Sequence, residues 1–154
     1  MIYDATQCAL GEGPLWHPER GELFWFDILS KRLHIKDRHW QFDRYVSAAG
    51  WIDDDRLLMA DSIGLHVLNL ATGNTDQVAQ IEADNPVTRS NDGRADPWGG
   101  FWIGTMGING EAQAGAIYRY YRGEVRTLFT DITTTNAICF SPDGTCAYFC
   151  DTRV

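Results

Sequence analysis

Glu12, Arg89, Asn91 and Asn136 are the residues of this sequence whose types and settings could do chemistry together. They lie in three unusually polar segments, LGEGPLW, TRSNDGRADP and TTTNAICFSPDG, each of which leads into a turn and an apolar strand. One carboxylate and two amide oxygens make an all-oxygen cluster, which suits Ca²⁺, Mg²⁺ or Mn²⁺ better than a structural zinc. A cation held there can polarise a carbonyl and activate a water, while Arg89 hydrogen-bonds the oxygens of a substrate beside it. The chemistry implied is metal-assisted hydrolysis of a neutral, oxygen-rich molecule.

Plainer readings compete at each position. Asn91-Asp92-Gly93 is an ordinary turn sequence, and Asn136 at the start of an apolar strand can cap unpaired backbone groups. Glu12, between two glycines, has no such structural use. His17, His34, His39 and His66 are scattered without ligand spacing and receive no role. Trp16 and Trp102, in apolar strands, read as core. Asp27, Asp61, Thr105 and Asp151 close matching strands, where short polar side chains satisfy backbone donors.

The elements that position these residues come from a repeat. WHPERGELFWFDI, IDDDRLLMADS, DPWGGFWIGTM and SPDGTCAYFCDT share one pattern, a polar turn followed by an alternating strand that ends on Asp or Thr. Further turns at ATGN and YRGE lie between alternating runs and complete four-stranded units. No stretch sustains a 3.6-residue apolar period, so the reading is all-β. The copies return at intervals that overlap the roughly 40–50 residues of a propeller blade. A β-sandwich would not explain the recurrence. Residues 1–154 therefore read as a single propeller domain of about three blades and a piece, fewer than the roughly 4–8 blades that close a ring. The loops at one end of such a ring form a mouth, and equivalent blades bring the three polar segments together there.

Composition narrows the partners. A hydrophobic content of 44% is that of a globular chain, and a formal charge of −8 disfavours both the phosphate backbone of nucleic acids and an anionic membrane surface. Neither a basic leader with an apolar core nor an apolar run of about 20 residues is visible, which gives an expectation of a cytoplasmic protein. Cys8, Cys139, Cys146 and Cys150 show no paired spacing and are expected as buried free thiols.

LGEGPLWHP, TRSNDGRADPWGGFWIGTM and TNAICFSPDGTCAYFCDT resemble the corresponding motifs of the gluconolactonase, regucalcin and senescence-marker-protein family of six-bladed propellers. The resemblance implies one divalent cation (Ca, Mn, Mg or Zn) at the channel mouth, with Glu12 and Asn136 as ligands and Arg89 and Asn91 contacting substrate. It implies hydrolysis of sugar lactones, with an Asp of a later blade as both ligand and general base. That Asp falls beyond Val154, and neither Asp92 nor Asp151 matches its place. A family Glu that can contact substrate has Asn109 or Glu111 as its counterpart. The alternative is a non-catalytic half-propeller that binds metal or completes its ring as a homodimer.

Overall fold

A computed structural model describes residues 2–152, and every regular element among them is a β-strand. The first sheet is β1 (Gly11–His17), β2 (Glu22–Asp27), β3 (Arg32–Ile35) and β4 (Arg38–Gln41). A second comprises β5 (Val46–Asp53), β6 (Arg56–Asp61), β7 (Gly64–Asn69) and β8 (Thr75–Gln80), and a third β9 (Thr88–Ala95), β10 (Phe101–Gly107), β11 (Gly115–Tyr121) and β12 (Glu124–Ile132). The hairpin β13 (Thr135–Phe140) and β14 (Ala147–Asp151) begins a fourth. Strands pair antiparallel in chain order within each sheet, so three complete blades and half of a fourth form a partial propeller.

The turns follow from residue chemistry. Tyr121 pairs with Glu124 across Arg122 and Gly123, both at positive φ, which is the two-residue geometry whose twist matches that of a hairpin. The repeated motif of the sequence is in every blade the hairpin joining its first two strands.

Apolar side chains fill the spaces between sheets. Phe24, Phe26 and Leu33 of the first blade pack with Val46, Ala49, Leu57 and Met59 of the second. Ala48, Ala60 and Leu65 meet Phe101 and Ile103 of the third, and Ile117 and Ile132 meet Ile138 of the hairpin. Burial in these seams is contributed from both faces, which fixes the angle between blades and therefore where the first strand of each one lies.

Two expectations fail here. Trp16 is not core: it is 56% exposed and lines an open cavity of about 260 Å³ with Pro14, Trp51, Asp92 and Arg94, on first strands of three blades. It precedes its turn, on β1, whereas Trp102 follows its turn on β10 and packs edge-on against Phe140. The two tryptophans are not equivalent. The cysteines are free, but Cys139, Cys146 and Cys150 are exposed and Cys8 is half-buried. The first three stand on or beside β13 and β14, a two-stranded sheet against which no further strand packs beyond the third blade among the described residues.

Candidate functional site

One register recurs in all four blades and decides where the donors stand. Gly11 pairs with Asp27, Val46 with Asp61, Ser90 with Thr105 and Thr135 with Asp151. The residues that follow on the first strands are Glu12, Ser47, Asn91 and Asn136. A bulge or register shift follows each of these pairs, between Glu12 and Leu15, Val46 and Ala48, Ile103 and Thr105 on the partner of β9, and Asn136 and Cys139. Bulges bend the strand and re-aim the side chain beside them. Here Glu12, Asn91 and Asn136 meet at one cavity, while Ser47 of the second blade does not line it.

The strand-closing residues hold that register, as the sequence suggests. Asp27 accepts from the backbone N–H groups of Ala9 (2.9 Å) and Leu10 (3.0 Å), immediately ahead of β1. Asp151 accepts from Thr133 (2.7 Å) and Thr134 (2.8 Å), immediately ahead of β13. Asp61 caps Ile63 at 2.8 Å, and the Thr105 hydroxyl accepts from Ala116 at 2.9 Å while donating to Glu82 at 2.9 Å. Glu82 also accepts from the hydroxyls of Thr88 and Tyr118, tying the segment after the second blade to the third.

Glu12, Gly13, Asn91, Asp92 and Asn136 line one cavity of about 10 Å³, about the space of a single water or ion. Asn91 is buried; its Nδ2 donates to Thr135 O (2.8 Å) and Asn136 Oδ1 (3.2 Å), and its Oδ1 accepts from Arg89 Nη1 (2.8 Å). Asn136 Nδ2 donates in turn to Thr152 Oγ1 (2.7 Å). Its amide thus bonds side chains, and the alternative of a backbone cap does not hold. The amide of Asn91 fixes the side chain of Asn136, and Glu12 stands exposed at the rim.

Asn91-Asp92-Gly93 is not a turn; it runs inside β9. Gly93 is required there because a Cβ would fall under 3.0 Å from Ile103 Cδ1 and Trp102 O. Asp92 accepts from Ile138 N at 2.7 Å, pinning β13 to β9, and burial pushes its carboxyl above the ordinary range against the pull of that N–H, of Gly93 N–H and of Arg94. A second carboxylate at the cavity is what sequence reasoning missed, having assigned Asp92 to a turn. Ser47 was missed as well, although aligning the repeats on their closing Asp or Thr would have found it.

Arg89 is buried, donating through Nη1 to Ser90 O (2.9 Å) and to Asn91, and makes no ion pair among the described residues. Burial lowers its pKa, offset in part by Tyr45 and Glu12. Met106 pairs with Arg89, so the loop after β10 lies at the same end of the blade. In that loop Glu111 accepts from Asn109 N (3.0 Å) and Asn109 Nδ2 (3.0 Å), and the two candidates satisfy one another.

Fold and site together define a partial β-propeller with oxygen donors gathered where its first strands meet. The chain belongs to the family described as the SMP-30/gluconolactonase/LRE-like region, whose model matches residues 10–154. It is 44% identical to a calcium-binding protein, regucalcin, from Agrobacterium tumefaciens strain C58, whose crystal structure superposes with a TM-score of 0.95 over 98% of this chain and 53% of that one. A protein of Rhizobium meliloti strain 1021, named as a candidate sugar lactone lactonase, is 42% identical over 94% of this chain and 51% of its own length. The 6-deoxy-6-sulfogluconolactonase of Pseudomonas putida is 33% identical over 93% and 52%. The chain spans about half the length of the curated relatives it matches.

Proposed function

We propose that this chain carries the cation-holding and substrate-binding part of a sugar lactone hydrolase. The observation behind the reading is one small cavity lined by Glu12, Asn91, Asp92 and Asn136, which come from three segments that the sequence keeps far apart. Their donors are oxygens, fitting a hard divalent cation, with Glu12 and Asn136 as the ligands. Names of relatives support the rest: a calcium-binding regucalcin for the cation, and lactonases for the substrate.

Bound there, a divalent cation supplies a Lewis acid for a lactone carbonyl. Arg89, which has no carboxylate partner among the described residues, offers a cation beside the cavity to the oxygens of the substrate. Asn91 positions both Arg89 and Asn136, so one amide links substrate grip to cation grip. Asp92 braces β13 and adds a second carboxylate at the cavity. No residue of this chain is assigned as the base.

The test is thermal unfolding with Ca²⁺, Mn²⁺, Mg²⁺ or Zn²⁺ and after chelation, alongside proton release from glucono-δ-lactone. A ligand that binds only the native state raises its melting temperature. An unchanged melting temperature with all four ions sinks the reading. A rise without turnover supports cation binding alone.

That last outcome is the second reading, a non-catalytic half-ring that pairs with another copy. Its contact surface would include Phe129 and Tyr148, 44% and 57% exposed. Sedimentation that stays monomeric across concentration removes it.

A further inference from the structure

A different donor set lies on the first blade, apart from the cavity. Cys8, Asp27 and His34 each offer a ligand atom, and the three atoms lie within 4.8 Å of one another. Asp27 and His34 are buried and Cys8 is half-buried. Their sheet explains the meeting. Phe24, Phe26 and Leu33 point into the seam with the second blade, so Trp25, Asp27 and His34 face the other way, where the segment before β1 crosses them. Tyr3 of that segment meets Trp25 edge-on, and the Trp25 ring stacks on His34 at 5.5 Å.

His34 is the telling member. It is 5% exposed, and its Nε2 is fully buried with no hydrogen-bond partner among the described residues. A buried ring nitrogen left without a partner is destabilising, so its persistence asks for a ligand. Asp27 spends its oxygens on the N–H groups of Ala9, Leu10 and Ser30, yet each carboxylate oxygen has two lone pairs, which leaves acceptor capacity. These same bonds preset its orientation.

A thiol, an imidazole and a carboxylate together also compose a hydrolytic nucleophile, base and orienting acid. The arrangement argues otherwise. Among the described residues no hydrogen bond joins His34 to Cys8 or to Asp27, so the relay that would activate a thiolate is not formed.

We propose that Cys8, Asp27 and His34 form a binding site for a borderline divalent cation of the zinc class, distinct in ligand chemistry from the oxygen cavity between the blades. Sulfur, nitrogen and oxygen together are the mixed set such ions take, and an ion would draw the three atoms in to bonds of about 2.0–2.3 Å, with a fourth position for water. Binding replaces the thiol proton by the metal and releases that proton to solvent. The site ties the segment before β1 to β2 and β3.

The experiment uses the full chain with Cys139, Cys146 and Cys150 changed to Ser, titrated with Co²⁺ as the probe and then with Zn²⁺. A thiolate-to-cobalt charge-transfer band that saturates at one equivalent is expected, which zinc displaces and Ca²⁺ and Mg²⁺ do not. Cys8→Ser abolishes the band, and His34→Gln weakens cobalt binding at least ~10-fold. Glu12→Gln leaves the band in place. Because Cys8→Ser could unfold the segment, zinc protection of Cys8 against alkylation is measured in the parent protein as well. Absence of a thiolate band at saturating cobalt, a band that survives Cys8→Ser, or alkylation unaffected by zinc overturns the site.

Discussion

The first strand of the second blade and those of its neighbours share a register but not a task. At the position of Glu12, Asn91 and Asn136, β5 carries Ser47, fully buried, with its hydroxyl on the Ser90 hydroxyl at 2.7 Å. Val46, Ser47, Ala48, Ala49 and Gly50 are all buried, and none lines the small cavity. Their small size lets flanking strands close in: a Cβ on Gly13 would run into Ser47 O, and one on Gly93 would lie 3.2 Å from Ala48 Cβ. The propeller thus repeats a place for a donor in every blade. Side-chain choice makes one blade a spacer and lets the others line the cavity.

That contrast breaks most readily at Gly13. Its φ of 56° sits in the left-handed region, and a side chain there strikes the β5 backbone. Gly13→Val is expected to cost about 3–4 kcal/mol, from left-handed strain plus overpacking, read from the urea midpoint, and to abolish any cation-induced rise in melting temperature. Full stability in this variant would mean that β1 and β5 do not need their close approach.

Two carboxylates four residues apart on one segment sharpen the comparison next. Asp96 is buried at the turn before β10, where burial raises its pKa but Arg119 Nε at 2.5 Å and the N–H groups of Gly100 and Trp98 outweigh that and hold it below the ordinary range. A carboxyl whose folded pKa is depressed adds stability that is complete above the unfolded value near 3.9 and fades as pH falls toward the folded one. Asp96→Asn is expected to cost about 2 kcal/mol at neutral pH and to flatten the acid limb of the stability profile below about pH 4. An unchanged limb would show that Asp96 is not its source.

The direct test of spacer against site pairs Asn136→Ala with Ser47→Ala. The first is expected to remove most of the melting-temperature response to Ca²⁺ or Mn²⁺. The second loses one buried hydrogen bond, about 1 kcal/mol, with the ion response intact. Equal responses in both variants would erase the distinction between the blades. The smallest effect is at Ala137, exposed and at φ 59°, beside the fourth-blade bulge. Ala137→Gly relieves left-handed strain and is expected to stabilise by up to about 1 kcal/mol in thermal unfolding.

The sequence by itself determined the all-β class, the blade repeat and the capping role of Asp27, Asp61 and Asp151, because turn chemistry, period-two alternation and short polar strand ends are local signals. It also offered Glu12, Asn91 and Asn136 as candidates through their return at equivalent places, with Arg89 as a neighbour of Asn91. Only the tertiary structure decided that Asn91-Asp92-Gly93 continues a strand, since Asp92 finds its partner on β13 and Gly93 its reason in the crowding of Ile103. Trp16 became an exposed wall, not core, because which face of a first strand is covered depends on the bulge beside Glu12 and on the neighbouring blades. The meeting of Cys8, Asp27 and His34 was equally illegible, for it is made by a segment folding back over a sheet. Local pattern fixes the strands; the contacts that build sites join residues far apart in the chain, and only packing brings them together.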